Sequence, residues 1–113
     1  MPYTLRLRGV IVGRSDLEDA DPSRDRARGI ARGRFRPSIG YDLVQPIFQL
    51  YAEAVPTPGG AVADDAKLER FTRARDALGL ELVDATGRAA GTRSILVLDY
   101  GDGAPALVVE WGT

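Results

Sequence analysis

Apolar and polar side chains alternate over residues 3–8, near the start of the chain. Positions 3, 5 and 7 are apolar and positions 4, 6 and 8 are polar, which is the period of a strand with one buried face. After Gly9 the chain becomes continuously apolar through Val12, and a glycine at such a change of phase is typical of a bulge. We therefore predict one bent or bulged first strand over residues 3–13.

Two periodicities compete between Tyr41 and Val55. The polar positions 42, 45, 49 and 53 are three or four apart, which is helical spacing. Asp42 and Gln45 also have the spacing of a capping box. Pro46 fits a helix less well, because its ring crowds the carbonyl four residues earlier, and a strand is the alternative. We predict a helix over residues 41–55 with Asp42 as its cap.

The rest of the chain predicts a second helix and three strands. Two prolines and two glycines interrupt residues 55–60. Beyond them Asp64 or Asp65 can cap a helix whose apolar stripe falls at positions 68, 71, 74 and 78, and Gly79 suits its left-handed end. Strands are expected over residues 80–83, 94–100 and 106–111, and the last two should form a hairpin.

These elements predict a single α+β domain over residues 1–113, with a mostly antiparallel sheet of four to five strands and two helices on one face. A chain of 113 residues with 44% hydrophobic and 27% charged residues has the composition of a globular domain with one core. No apolar run approaches the roughly 20 residues of a membrane span, and the N-terminus does not have the pattern of a signal peptide. We therefore expect a cytoplasmic protein.

Residues 14–40 are expected to form a long charged surface loop. Charge is distributed unevenly along the chain: the first 40 residues carry nine arginines and five acidic residues, whereas residues 41–113 carry six basic and eleven acidic residues. Within the loop, acidic positions 16, 18, 19 and 21 come before a run of arginines. Phe35, which arginines flank and Pro37 follows, is the one residue here that suggests a short edge strand.

The absence of cysteine and histidine excludes several chemistries. Without cysteine there are no disulfides, thiolate nucleophiles or the usual structural zinc sites. Without histidine the commonest general base and metal ligand are missing. Lys67, the only lysine, does not lie in a phosphate-binding loop. A carboxylate-based or magnesium-dependent enzyme would need Asp16, Glu18 and Asp21 to converge, but charge blocks in loops are usually solvated or paired with arginine. We predict a protein that is not an enzyme and that has no cofactor or metal.

Two binding functions follow from what is left. The first is non-enzymatic protein–protein interaction, either as an adaptor or as a self-assembling structural subunit, in which the charged loop supplies a contact surface and the terminal strand 106–111 is an edge that can pair with another copy. The alternative is a nucleic-acid-binding module, in which guanidinium groups bind phosphates and Phe35 stacks on a base. Both hypotheses use the same candidate binding residues, namely Arg24, Arg26, Arg28, Arg32, Arg34, Phe35 and Arg36.

Overall fold

The computed structural model describes residues 2–18, 29–57, 60–101 and 105–111. Within these ranges the chain forms seven strands and two α-helices, so the predicted α+β class is confirmed. The strands are β1 (Tyr3–Leu7), β2 (Val10–Ser15), β3 (Ile30–Arg34), β4 (Arg36–Pro37), β5 (Glu81–Val83), β6 (Thr92–Leu98) and β7 (Ala106–Trp111). The helices are a 3₁₀ helix (Ile39–Leu43), α1 (Gln45–Ala54) and α2 (Asp65–Leu78).

The strands form two antiparallel sheets instead of one sheet of four to five strands. One sheet has the order β4-β2-β1-β5 and the other has the order β3-β7-β6. Phe35 joins them, because its N–H donates to the carbonyl of Pro105 before β7 at 2.9 Å. Three residues later Ser38 donates its N–H to Val12 of β2 at 2.8 Å. A single extended run of chain therefore leaves one sheet and enters the other.

A second corner connects the opposite edges of the two sheets. Val83 of β5 forms an isolated antiparallel bridge with Ala89, and the N–H of Ala90 donates to Leu82 at 2.8 Å. Residues 88–90 thus pair with β5 just before the chain enters β6. The two sheets are thus connected at both ends and share one core.

The predicted single first strand is wrong, because the chain reverses at Arg8 and Gly9. Both residues have positive φ, 49° and 84°, as a two-residue type I′ hairpin turn requires. A bulge does occur, but one strand later: Leu5 lies opposite Gly13 whereas Arg6 lies opposite Ile11. The glycine at the change of phase marks a turn instead of a bulge, and both features use the same residue type.

The expected loop over residues 14–40 is also shorter than predicted. The C-terminal part of this range forms β3, β4 and the start of the 3₁₀ helix, while residues 19–28 lie outside the described residues. The strand alternation is present but hard to see, because the inward positions include the small residues Ala31 and Gly33, and the exposed positions include the apolar Ile30. Small inward residues hid the strand period.

Both predicted helices are confirmed, and the strand alternative for residues 41–55 is wrong. Helix α1 begins at Gln45 instead of Asp42, after Val44, whose side chain makes no capping hydrogen bond. Pro46 then lies in the first turn, where a missing N–H costs little. Helix α2 begins as expected, since the Asp64 carboxylate accepts the N–H of Lys67 at 3.0 Å.

The core lies between the sheets and the two helices. Phe48 of α1 and Phe71 of α2 are fully buried with ring centroids 5.8 Å apart, and Tyr51 contacts Phe71 edge to face at 5.2 Å. The sheets contribute inward residues from both sides, including Leu5, Val12, Ile95, Val97, Leu107 and Val109.

Of the helices in the described ranges, none is long and apolar enough to cross a membrane.

Gly33 provides a test of how closely the chain packs at the edge of β3. A Cβ added at Gly33 would lie 2.5 Å from the Cα of Leu17, so the backbone itself would have to move. We expect Gly33→Ala to lower the free energy of unfolding by about 3 kcal/mol, as measured by urea denaturation. Gly87→Ala is the control, because Gly87 has positive φ but open space around it, and its cost should be only about 1 kcal/mol. Equal costs for the two variants would contradict this packing.

Candidate functional site

Strand β3 is an edge strand, and its backbone pairing shows which groups face outward. Trp111 donates its N–H to Gly29 at 2.6 Å and Phe35 donates to Pro105 at 2.9 Å, so the odd-numbered residues of this run bond towards β7. In an antiparallel ladder the intervening residues direct their N–H and C=O groups the other way. The backbone groups of Ile30 and Arg32 therefore point away from the sheet.

The arginines of β3 and β4 form an exposed basic cluster. Arg32, Arg34 and Arg36 are all exposed, and Arg14 of β2 is directly opposite Arg36. We call Arg14, Arg32, Arg34 and Arg36 the arginine cluster. Arg14 is not among the binding residues that the sequence predicts, because only the pairing of β2 with β4 brings it here. The other predicted binding arginines, Arg24, Arg26 and Arg28, lie outside the described residues.

Phe35 is a core residue, and this corrects the role that the sequence suggested for it. Only 1% of its surface is exposed. Its ring packs edge to face on Tyr41 with a centroid distance of 5.5 Å, and on the backbone of Gly13, where a Cβ would lie 2.2 Å from the Phe35 ring. A ring in this position is not available to stack on a base.

The acidic residues before β3 bind the arginine cluster and the strand edge. Asp16 forms an ion pair with Arg36 at 3.3 Å, and Glu18 accepts the outward N–H of Arg34 at 2.8 Å. The Glu18 carboxylate accepts hydrogen bonds from two backbone N–H groups, first that of Glu18 itself and then that of Arg34. These bonds lower the pKa of Glu18. Between them Leu17 is buried at φ 47°, which anchors the segment.

The acidic block does not form a metal site within the described residues. No group of three carboxylates there has a geometry that could hold an ion. Asp16 and Glu18 are engaged with Arg36 and Arg34 as described above. Asp19 and Asp21, the other members of the block, lie outside the described residues.

Three large apolar side chains are exposed on β2 and on the 3₁₀ helix that packs against it. Ile39 is 92% exposed, Leu43 is 60% exposed and Val10 is 42% exposed. The 3₁₀ helix that carries two of them is held tightly against β2, because a Cβ at Gly40 would lie 2.5 Å from the carbonyl oxygen of Ile11 and 2.8 Å from Val10. We call Val10, Ile39 and Leu43 the apolar patch. The sequence does not predict this patch, because its three residues lie on two elements, and only the packing of the 3₁₀ helix on β2 shows that they are exposed there.

A polar junction ties the end of β6 to the 3₁₀ helix. The Tyr41 hydroxyl donates to Asp99 at 2.8 Å, and Gln45 approaches the same oxygen at 3.5 Å. The other oxygen of Asp99 accepts the N–H of Gly101 at 3.1 Å. Partial burial, together with the bond to Asp99, raises the pKa of Tyr41 well above its ordinary value. These contacts join elements that are distant in sequence, which is a structural role.

A shallow groove separates the C-terminal end of α2 from β6. Arg75, Asp76 and Gly79 line it on one side and residues 92–95 on the other, and its volume is about 170 Å³. Small-molecule sites usually have about 300–1,000 Å³. The exposed strand edge and the apolar patch are therefore the stronger candidates for a functional surface.

Comparison with protein-family models, with curated proteins and with solved structures found no match for this chain. The fold defines an α+β domain, and its function has to be argued from the arginine cluster, the edge of β3 and the apolar patch.

The Tyr41–Asp99 junction predicts a loss of stability at high pH. Because the pKa of Tyr41 is raised on folding, its contribution is complete below about pH 10 and falls as the pH rises further. We expect Tyr41→Phe to lower the free energy of unfolding by about 1 kcal/mol at neutral pH, and to make the decline above about pH 10 shallower.

Urea denaturation across this pH range tests the prediction. Tyr3→Phe is the matched control, because the Tyr3 hydroxyl makes no hydrogen bond within the described part of the chain. A Tyr41→Phe protein whose stability falls as steeply with pH as the wild type would show that the junction does not control the titration.

Proposed function

We propose that this protein is a non-enzymatic protein–protein interaction module, and that its contact surface combines the apolar patch with the arginine cluster. The observation that carries the proposal is the exposure of Ile39, Leu43 and Val10 on firmly packed elements. Single exposed apolar residues are ordinary, but a contiguous group of large ones is typical of an interaction surface.

The energetics of the apolar patch favour a protein partner. Fully burying a side chain such as Ile or Leu contributes roughly 1.5–3 kcal/mol. Ile39 and Leu43 are mostly exposed in the free chain, so most of this gain is available on binding. Such anchors, with a charged surround, have the composition of protein–protein contacts.

The arginine cluster supplies the charged surround. Arg36 precedes Ile39 by only three residues. Arg14 lies opposite Arg36 across the β2–β4 pair. Guanidinium groups are well suited to contact surfaces, because they form paired hydrogen bonds with carboxylates at modest desolvation cost. In the sequence-based hypothesis the arginines at positions 24, 26 and 28 belong to the same surface.

Nucleic-acid binding is the second candidate, and the arginine cluster is the observation that favours it. Four exposed guanidinium groups could neutralise phosphates. Asp16 already pairs with the Arg36 guanidinium, however, and Glu18 places a second carboxylate beside the cluster, at the backbone N–H of Arg34. Phe35 is also buried, so its ring cannot serve as the aromatic platform that single-stranded binding uses. A protein partner fits this mixture of charges and apolar side chains better.

Charge substitutions within the apolar patch test the proposal. We expect Ile39→Asp and Leu43→Asp to reduce binding to a partner, or self-association, by about tenfold or more, which corresponds to about 1.4 kcal/mol. Val62→Asp is the matched control, because Val62 is 43% exposed but lies in the connection between α1 and α2. All three variants should unfold within about 0.5 kcal/mol of the wild type, since the positions are exposed.

Two measurements read out the effect. Light scattering determines whether the protein self-associates, and chemical crosslinking to co-purifying chains, repeated with each variant, identifies a heterologous partner. Equal binding by wild type, Ile39→Asp and Val62→Asp would remove the apolar patch from the contact surface. Affinity for single-stranded DNA or RNA that falls with salt and is lost in Arg32→Ala would favour the nucleic-acid alternative.

A further inference from the structure

We propose that the open edge of β3 takes an extended acidic segment of a partner protein, which adds to the sheet as a strand. The inference rests on the proposed interaction function and names the chemistry of the partner. Strand addition uses backbone hydrogen bonds for affinity and alternate side chains for specificity, and β3 offers both.

Among the strand edges that the structure describes, β3 is the one left open for pairing. Strand β4 has two residues, and Pro37 has no N–H to donate. Strand β5 is paired on both sides, with β1 and with residues 88–90. Strand β6 packs beside α1, and Val97 in its middle is fully buried. The edge of β6 is therefore covered at this point. In β3 the outward backbone groups belong to Ile30, Arg32 and Arg34; Glu18 occupies the N–H of Arg34, whereas Ile30 and Arg32 are exposed.

The terminal strand, which the sequence suggested as a pairing edge, does not have this role. Strand β7 is the central strand of its sheet, with β3 on one side and β6 on the other. Its backbone groups are therefore already used.

The chain itself shows what kind of group this edge binds. Glu18 places a carboxylate oxygen 2.8 Å from the outward N–H of Arg34, and Asp16 pairs with the Arg36 side chain. Two carboxylate side chains thus already lie along the C-terminal half of the strand run. The N-terminal half, at Ile30 and Arg32, presents the same donors and the same charge without such a neighbour in the described part of the chain.

Charge complementarity determines the side-chain pattern of the added strand. Arg32 and Arg34 point to the outer face of the sheet, because Ala31 and Gly33 between them face the core. Residues directly opposite each other on neighbouring strands have Cβ atoms about 4.5–5.5 Å apart, so a glutamate or aspartate opposite Arg32 can form an ion pair. An added strand with acidic residues at alternate positions fits this face.

Amide hydrogen exchange followed by NMR tests the inference on the full chain. The probe is a nine-residue blocked peptide of alternating glutamate and valine, and its lysine–valine counterpart is the comparison. We expect saturating glutamate peptide to slow exchange at Ile30 and Arg32 by about tenfold or more, since these amides become hydrogen-bonded. The lysine peptide should have no effect on them.

Two variants and one control separate backbone pairing from charge. Ile30→Pro removes an outward N–H without breaking a bond to β7 and leaves every arginine in place, and Arg32→Glu reverses the charge while keeping its N–H. Each should weaken peptide binding by about tenfold or more. Arg70→Glu changes the same charge on the exposed face of α2 and should leave the affinity unchanged.

Several outcomes would overturn the inference. Slow exchange of Ile30 and Arg32 in the free protein would show that the edge is already covered, and equal binding of both peptides would exclude charge selection. Protection of the same amides by single-stranded DNA alone would assign the edge to nucleic acid. If Ile39→Asp abolishes partner binding while the glutamate peptide fails to bind, the interaction function stands and the acidic strand does not.

Discussion

The packing of Phe35 into the core is the interaction on which most of this structure depends. Its ring fills the space above Gly13 and contacts Tyr41, while its backbone N–H bonds to Pro105. One residue thereby connects β2, the 3₁₀ helix and the segment that enters β7. Because the two sheets meet at this corner, a smaller side chain there would leave a cavity between them.

The burial of Phe35 also determines where the charges go. Side chains alternate along an extended chain, so a ring that points inward at position 35 turns Arg34 and Arg36 outward. The same alternation exposes Arg32 and places the small residues Ala31 and Gly33 inside. The arginine cluster is therefore a geometric consequence of the core, and the acidic segment at Asp16 and Glu18 binds to it as the chain leaves β2.

Both surfaces used in the proposals lie on the same stretch of chain. Residues 30–34 form the open strand edge, and Ile39 and Leu43 follow on the 3₁₀ helix. The close approach of Gly40 to Ile11 holds this helix against β2. A partner that binds the edge and the apolar patch would thus contact one continuous, rigid segment, which lowers the ordering cost of binding.

The sequence by itself determined the α+β class, both helices, the three C-terminal strands and the C-terminal hairpin. These elements have local signals: helical spacing of polar residues, the Asp64 cap, and apolar runs bounded by turns. The sequence was compatible with an outward direction of Arg32, Arg34 and Arg36. No local pattern, however, indicates that Arg14 lies beside them. The reversal at Gly9 was misread, because a turn and a bulge share the same residue signal.

Only the tertiary structure decided how the strands are divided between two sheets, that Phe35 is buried, and which strand edge is open. Each of these depends on pairing between residues far apart in sequence, such as Phe35 with Pro105 and Arg14 with Arg36. Local composition carries no information about such partners. An aromatic residue between arginines has the same sequence pattern whether it faces a ligand or a core, and here the glycine on a neighbouring strand makes room for it inside.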